Sequence, residues 1–236
     1  MCRTQQESAG QLAGSRSPDN TVSSYSYDRS GNILSKDGRS HLNRGWQISR
    51  ITDSSGNITR DFEYRADGYL TKELDGSGQA VRTMNYDSLG RMTNLNSTTF
   101  AYDSNGRMIK ATSGDGSVTY YPSESYEVTV RGPTTTRTAY LVHQNRRASI
   151  STVVVSDRSQ TSVSYYHSNH LGSIVAVSDG TGDIVTTYSY DDFGAVTVNG
   201  PDNSRYKYSG KEAFEGLYYF GARFYDPMVH ILHSIC

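Results

Sequence analysis

Two histidines and a set of regularly placed aspartates are the side chains of this sequence that could do chemistry. His167 and His170 are three residues apart, and with Asp179 or Asp191 they could surround a metal ion or exchange a proton with a substrate. The spacing fixes no third ligand, and no nucleophile with its base stands beside the pair. A structural role for the two histidines is therefore favoured over a catalytic one.

The regularly placed aspartates could be compared with the paired carboxylates of a glycosidase. Each of them, however, stands three residues before a glycine, as in Asp28 and Gly31 or Asp87 and Gly90. A short carboxylate can accept hydrogen bonds from nearby backbone N–H groups, and glycine can take a positive φ. The spacing therefore predicts a chain reversal rather than acid-base catalysis.

The composition favours thin layers over a large apolar core. Of 236 residues 35% are hydrophobic, and 19 Tyr outnumber six Phe and one Trp. A tyrosine buries its ring while its hydroxyl stays hydrogen-bonded or wet. Exposed tyrosines could form a platform for sugar or peptide, but tyrosines packed within a sheet are the favoured interpretation. The net charge of −1 excludes a general attraction to nucleic acid or an anionic membrane.

The cysteines predict neither a disulfide framework nor a zinc site, and the first residues predict no targeting signal. Cys2 and Cys236 lie at opposite ends, which favours neither a disulfide framework nor a zinc site. No run approaches the ~18 apolar residues of a membrane span, and residues 1–7 lack the pattern of a secretory signal. Asn57 and Asn96 begin glycosylation sequons, which matter only if a eukaryotic cell exports the chain.

An aromatic or aliphatic residue, then Asp, two small or polar residues and Gly recur along the chain. The turn glycines Gly56, Gly68 and Gly78 are 12 and 10 residues apart, about the length of one strand and its turn. The sequence therefore predicts an all-β fold, an antiparallel hairpin meander with little helix, in which tyrosines of successive units stack. The positions that carry the repeat are Tyr27, Asp28, Gly31, Tyr64, Gly68, Tyr86, Asp87, Gly90, Tyr102, Asp103, Gly106, Tyr190, Asp191 and Gly194.

Five segments follow from this pattern. We expect a flexible N-terminal lead over 1–20, repeats over 21–110, an irregular β continuation over 111–164, a distinct core over 165–227 and an aberrant tail over 228–236. The only candidate helix is a short turn near Lys211–Glu215. An arginine after the turn glycine, as at Arg91 and Arg107, is expected to pair with Asp on a neighbouring turn.

The repeats carry a family resemblance. Units such as Tyr86-Asp-Ser-Leu-Gly-Arg91 resemble the YD repeats of Rhs (rearrangement hotspot) proteins, Tc-toxin shell components, bacterial wall-associated proteins and teneurins. The stretches His167-Ser-Asn-His170-Leu-Gly172 and Gly216-Leu-Tyr-Tyr-Phe-Gly-Ala-Arg223-Phe-Tyr-Asp226-Pro227 are similar to the Rhs-repeat-associated core domain. The core positions are His167, His170, Leu171, Gly172, Gly210, Gly216, Leu217, Tyr218, Arg223, Tyr225, Asp226 and Pro227.

The resemblance implies a β-shell that spirals around a hollow interior and is closed by the core domain. Many members carry a polymorphic toxin after the core, released by an aspartyl autoproteolytic step. Here residues 228–236 depart from that pattern, so we expect a truncated or frameshifted frame without autoprotease or toxin. The implied partners are other shell segments or an encapsulated toxin, with no cofactor and no metal, in a family that is secreted or exposed on the cell surface.

Three functions stay open at this point. The first is a non-enzymatic structural fragment of such a shell. The second is a carbohydrate- or cell-surface-binding adhesion module that uses the tyrosine-bearing sheet. The third and weakest is a remnant autoprotease or a metal hydrolase at His167 and His170. Because a partial shell leaves open sheet edges, the first function also predicts self-association.

Overall fold

The fold is an antiparallel meander, as the sequence predicts. The structure, a computed structural model, describes residues 3–6, 10–16, 20–143, 146–155, 158–202 and 204–233. Within these residues the strand pairings are antiparallel, and successive strands of each sheet pair with each other. Short runs rich in Tyr, Thr and Val separated by Asp and Gly turns favour this arrangement. The all-β prediction is confirmed.

Contacts divide the chain into two units, Met1–Met84 and Asn85–Ser234. Along the first unit each strand is hydrogen-bonded to the next, and Phe62 is buried between two less buried neighbours, as the alternation of a strand requires. Its buried residues include Ile48, Ile51, Leu70 and Met84. The strands are β1 (Arg3–Gln6), β2 (Leu12–Arg16), β3 (Val22–Tyr27), β4 (Ile33–Lys36), β5 (Arg39–Arg44), β6 (Gln47–Thr52), β7 (Ile58–Tyr64), β8 (Leu70–Asp75) and β9 (Ala80–Tyr86), whose last residues belong to the second unit.

The second unit contains two sheets. The larger one, here called the unit-2 sheet, consists of β10 (Met92–Leu95), β11 (Thr98–Tyr102), β12 (Met108–Thr112), β13 (Val118–Ser123), β14 (Tyr126–Arg131), β15 (Thr134–His143), β16 (Arg146–Val155), β17 (Arg158–Ser168), β18 (Ile174–Asp179), β19 (Ile184–Tyr190) and β20 (Val196–Asn199). A 3-10 turn (Tyr208–Gly210) follows. The C-terminal sheet then consists of β21 (Glu212–Phe214), β22 (Leu217–Tyr219), β23 (Phe224–Asp226) and β24 (Ile231–His233).

The unit-2 sheet buries one face around two groups of side chains. Met92, Leu95 and Phe100 are buried near its beginning. Five further residues form a second cluster towards its end, and these are Tyr140, Tyr166, Ile174, Val177 and Tyr188. The meander runs without interruption through the segment in which the Tyr-Asp pattern fades, because β14 to β17 pair in continuous register.

Three local predictions differ from the structure. Residues 3–6 and 12–16 of the expected flexible lead are strands, because β1 pairs with β2 and β2 with β3. The candidate helix near residues 211–215 is strand β21, which turns back onto β22 through positive φ angles at Glu215 and Gly216. Within the expected tail, residues 231–233 pair with β23 as a fourth strand of the C-terminal sheet.

No helix of the described residues is long and apolar enough to cross a membrane.

Candidate functional site: the junction of the C-terminal sheet and the unit-2 sheet

The repeat aspartates close their own turns. Asp28 Oδ1 accepts the N–H groups of Ser30 (2.8 Å) and Asn32 (2.9 Å), and Asp87 Oδ1 accepts those of Leu89 (2.9 Å) and Arg91 (3.0 Å). The same pair of bonds occurs at Asp53, Asp75, Asp103, Asp179 and Asp191. At Asp28 the side-chain amide of Asn32 and these N–H groups favour the ionised carboxylate, so its pKa is lowered.

Four of the tyrosines that end repeat strands bond to backbone. Each of these four hydroxyls donates to a carbonyl of the preceding strand, an interaction that the sequence reasoning, which expected stacked rings, did not anticipate. The bonds are Tyr27 to Leu12 O (2.9 Å), Tyr64 to Ile48 O (2.7 Å), Tyr102 to Met92 O (2.7 Å) and Tyr190 to Ile174 O (2.6 Å). The bond satisfies the one polar atom of a half-buried ring and ties two strands together.

The arginines after the turn glycines do not follow the sequence expectation. The Arg91 guanidinium pairs with Asp87 of its own turn (2.7 Å) and reaches the next turn through the carbonyl of Asp103 (3.2 Å). Arg107 likewise pairs with Asp103 (3.4 Å) and donates to Pro122 O (3.4 Å). At Arg91 and Arg107 the contact beyond the arginine's own turn is therefore made to a backbone carbonyl rather than to an Asp of a neighbouring turn.

One face of the C-terminal sheet packs on β11, near the beginning of the unit-2 sheet. The Phe100 ring lies 5.0 Å from that of Phe214 and 5.1 Å from that of Phe224. Beside these rings the Glu215 carboxylate accepts hydrogen bonds from Thr98 Oγ1 and Asn96 Nδ2, both 2.6 Å long. The contact therefore combines an aromatic centre with a charged hydrogen-bonded margin.

The other face of the C-terminal sheet packs on the turn between β19 and β20. Tyr225 follows Phe224 and so points to the opposite face, where its hydroxyl donates to Phe193 O (2.9 Å). Tyr218, 1% exposed, donates to Gly194 O (2.7 Å). The C-terminal sheet is thus held between the beginning and the end of the unit-2 sheet.

The loop before the C-terminal sheet is fastened to the end of the unit-2 sheet. Ile174 N donates to Lys207 O (3.0 Å), and Ser209 N donates to Ser173 Oγ (2.8 Å). Gly194 has a φ of +97°, and a Cβ there would lie 2.6 Å from the Tyr208 ring. Only glycine therefore provides both the turn and the close approach of that ring.

A buried group of charged and phenolic side chains lies at the same junction, and we call it the Arg205 cluster: Thr119, Tyr121, Glu127, Tyr140, Arg205 and Glu212. Arg205 Nη1 lies 2.5 Å from Glu127 Oε2 and 3.1 Å from Glu212 Oε1, while Nη2 donates to Thr119 Oγ1 (3.3 Å). Tyr140 donates to Glu127 (3.0 Å) and Tyr121 to Glu212 (2.7 Å). The two glutamate side chains are 9% and 11% exposed, so each carboxylate depends on these partners.

Burial dominates the electrostatics of the Arg205 cluster. It raises the pKa of both Glu127 and Glu212, and the positive charge of Arg205 offsets part of that effect. Burial works against the charged form of Arg205, yet the fields of Glu212, Tyr121 and Glu127 raise its pKa. The cluster therefore favours the charged form of Arg205, whereas Arg205 offsets only part of the cost of burying Glu127 and Glu212 as carboxylates.

The predicted site residues separate into two groups. Gly172 and Gly210 approach each other at the junction, since a Cβ on Gly210 would lie 3.2 Å from Gly172 O. Tyr218 and Tyr225 donate hydrogen bonds there, Gly216 lies in the turn between β21 and β22, and Leu217 begins β22. The buried Asp226 closes the turn containing Pro227 by accepting Met228 N (2.8 Å), and Phe220 N donates to Arg223 O (2.8 Å). These are structural contacts.

The two histidines lie apart from the junction's contacts. His167 Nε2 lies 2.9 Å from Ser178 Oγ, and His170 and Leu171 are exposed on the turn before β18. Within the described residues no three His, Cys, Asp or Glu side chains gather as a metal site would require. Arg205 and Glu127 were missed by sequence reasoning, because their spacing along the chain carries no motif.

Turns closed by Asp and Gly, strand-end tyrosines and an antiparallel meander define the fold as that of a YD-repeat protein. The family model described as Teneurin YD-shell matches residues 6–231, and the chain belongs to this family.

Known relatives and solved structures agree with this assignment. The chain is 28% identical over 246 aligned residues to the tRNA3(Ser)-specific nuclease WapA of Bacillus spizizenii and 29% to the tRNA nuclease WapA of Bacillus subtilis. Both matches cover 95% of this chain and 10% of the relative, so the chain spans about a tenth of their length.

The solved structures show the same fold at low identity. The Tc holotoxin pore of Photorhabdus luminescens matches 100% of this chain with a TM-score of 0.57, 16% identity and 17% of its own chain covered. The complex TcdB2-TccC3 matches 99% of this chain with a TM-score of 0.56, 16% identity and the same 17% share.

Proposed function

We propose that the chain is a section of a YD-shell wall, a non-enzymatic module that helps to enclose a polypeptide. The contacts between the C-terminal sheet and the unit-2 sheet support this function, because four of the predicted core positions make packing or backbone contacts there: Gly172, Gly210, Tyr218 and Tyr225. A sheet held at its beginning through Phe100 and at its end through Gly194 is suited to form a wall.

The relatives named as tRNA nucleases bear on the enzymatic alternative. They are matched over a tenth of their length, and we assign their nuclease activity to parts outside the matched residues. The test is to incubate the purified chain with total tRNA beside a full-length WapA protein. We expect no cleavage by this chain. Cleavage that disappears in a His167→Ala variant would overturn the proposal.

The partners follow from the same role. As part of a longer protein we place the chain outside the cell or on its surface, in contact with other shell segments or with an enclosed polypeptide. Open sheet edges bind other strands readily. Size-exclusion chromatography with light scattering is expected to show dimers or larger species, and a clean monomer at all concentrations would contradict this expectation.

Surface recognition of carbohydrate is a second candidate, favoured by one pocket. A pocket of about 610 Å³ is lined by Tyr165, His167, Ser168 and Ser178, among others, and Tyr165 is 46% exposed. An exposed ring beside hydrogen-bonding groups suits a sugar. Tyr120 is 44% exposed and does not line this pocket, so it provides a matched control. Glycan binding lost in Tyr165→Ala but kept in Tyr120→Ala would support this function, and no binding by the unaltered chain would reject it.

A further inference from the structure

The Arg205 cluster joins one local pair of residues and two pairs that are distant in the sequence. Arg205 and Glu212 lie on the two sides of the turn at residues 207–211, where Ala213 N donates to Arg205 O (2.9 Å) and Tyr206 pairs with Glu212. Arg205 and Glu127 are 78 residues apart, and Glu212 and Tyr121 are 91 apart. Glu127 belongs to β14 in the middle of the unit-2 sheet, whereas Glu212 is the first residue of the C-terminal sheet. The pairing of Arg205 with Glu127 is therefore a tertiary contact to the unit-2 sheet, whereas its pairing with Glu212 is closed by the local turn.

The aromatic contacts between the two sheets tolerate a shift. Phe100 meets Phe214 and Phe224 through ring faces and edges, and such contacts can form in more than one relative position. A strand displaced by two residues also keeps the same side chains on the same face. Aromatic packing alone would thus allow the C-terminal sheet to settle in neighbouring positions.

Directional contacts distinguish these positions. Glu215 accepts bonds from Thr98 and Asn96 at the margin of the contact, and the Arg205 cluster provides the buried charged pairs. Any displacement of Arg205 would leave Glu127, whose side chain is 9% exposed, without its cation. An unpaired buried carboxylate is strongly disfavoured, whereas a fully apolar replacement of a buried ion network is often neutral or stabilising. A network of this kind consequently selects a position more effectively than it adds stability.

We propose that Arg205, through Glu127 and Glu212, is the largely buried charged residue that helps to specify where the C-terminal sheet settles on the unit-2 sheet. The inference concerns the assembly of the second unit and holds whether or not a shell encloses a polypeptide. In the proposed position the Arg205 guanidinium pairs with one carboxylate of each sheet, Glu127 of the unit-2 sheet and Glu212 of the C-terminal sheet.

The test traps the position of the C-terminal sheet with engineered disulfides. In a full-length background with Cys2→Ser and Cys236→Ser, Ser173→Cys is combined with Ser209→Cys, because Ser209 N lies 2.8 Å from Ser173 Oγ. A second protein combines Ser173→Cys with Lys211→Cys, which reports a displacement by two residues. After mild oxidation the yield of the native disulfide in the first protein is divided by the yield of the displaced disulfide in the second, and this ratio is the measured quantity.

The decisive variant is Arg205→Met with Glu127→Leu and Glu212→Met. We expect it to fold and to unfold cooperatively, while the ratio of native to displaced disulfide falls by about tenfold or more. An unchanged ratio in the folded variant would overturn the proposal. If the triple variant does not fold, Glu212→Gln serves instead, because its amide keeps the shape and the bond to Tyr121. The expected fall is then several-fold, and an unchanged ratio would again overturn the proposal.

The matched control lies in the first unit. Glu73 is also a buried carboxylate with two cations, Arg60 at 2.8 Å and Arg82 at 2.9 Å. Replacing these three residues by methionine is expected to leave the disulfide ratio unchanged. A fall equal to that of the Arg205 variant would show that general loosening, rather than the Arg205 cluster, controls the position.

Discussion

Each unit contains a buried charged cluster, and the two clusters differ in what they connect. In the first unit Glu73 of β8 pairs with Arg60 of β7 and Arg82 of β9. These three strands are already aligned, since Glu73 stands opposite Phe62 and Arg82 in the sheet. In the second unit Arg205 connects residues from two separate sheets.

The difference shows where side-chain charge determines structure in this fold. A hairpin turn closed by Asp and Gly sets the register of its two strands locally, so charges on those strands only adjust stability. The turn at residues 207–211 leads into the C-terminal sheet and is hydrogen-bonded to Ile174 and Ser173, but it does not determine the contact between Arg205 and Glu127, which are 78 residues apart. The position of the C-terminal sheet therefore depends in part on side chains whose partners are distant in sequence.

The largest expected effect comes from removing the central charge of each cluster. Arg205→Met leaves the carboxylates of Glu127 and Glu212 buried without their cation, and we expect the free energy of unfolding to fall by about 3–5 kcal/mol. Glu73→Met leaves two arginines, of which Arg60 is 41% exposed and can turn to water, so about 1–2 kcal/mol is expected. Chemical denaturation measures both, and equal losses would remove the distinction between the clusters.

The next effect compares two turn glycines with the same backbone conformation. Gly194 has φ +97° and Gly182 has φ +96°, but only at Gly194 would a Cβ meet the Tyr208 ring. Gly182→Ala is expected to cost about 1 kcal/mol for the positive φ, and Gly194→Ala about 3 kcal/mol because overpacking is added. Thermal or chemical unfolding tests this, and equal costs would show that Tyr208 adapts freely.

Acid should affect the two units with opposite signs. Burial, with Lys36 and Arg39 nearby, lowers the pKa of His41 in the first unit to about 4. The unfolded chain then binds this proton first as pH falls, so stability decreases between pH 6.5 and 4. Glu127 and Glu212, with raised pKa values, contribute stability that is present at low pH and lost as pH rises through their folded pKa.

His41→Leu isolates the first of these contributions. After allowance for solvent screening, about 2 kcal/mol of the acid-induced loss between pH 6.5 and 4 should disappear in this variant. Denaturant titrations at several pH values provide the measurement. A variant with the same pH profile as the unaltered chain would show that His41 titrates normally.

The smallest expected effect concerns the hydroxyls that end repeat strands. Tyr64→Phe in the first unit and Tyr190→Phe in the second each remove a bond to a backbone carbonyl. Each should cost about 1 kcal/mol, since the ring stays packed and one acceptor is left without this donor. Similar losses in both units would indicate that the repeats share this interaction. No loss at either position would show that the hydroxyl bond adds nothing to the free energy of unfolding.

The sequence allowed the turns to be predicted because their chemistry is local. Asp87 and Gly90 are three residues apart, and both the carboxylate bond and the positive φ follow from that spacing. The same reasoning failed for β2, where a Ser- and Gly-rich composition conceals a strand that is stabilised by pairing with β3. Propensity is a weak guide where tertiary pairing decides.

The contacts between the C-terminal sheet and the unit-2 sheet were predictable only in part. The glycines and tyrosines of the core were recognised by resemblance, but Arg205 and Glu127 stand in stretches without a motif. Their partners are far away in the sequence, and one chain offers no signal for a contact over 78 residues. His167 was the more conspicuous residue, yet the structure places it beside Ser178 rather than at the junction.

The C-terminal sheet holds the beginning and the end of the unit-2 sheet together, through Phe100 and Gly194. Native-state hydrogen exchange in increasing denaturant tests this arrangement most directly, by giving the opening free energies of β11, β19 and the C-terminal strands β21 to β23. If the C-terminal sheet holds both ends of the unit-2 sheet, these strands open together with one common free energy. Exchange of β21 to β23 at a clearly lower free energy, while β11 and β19 stay protected, would contradict it.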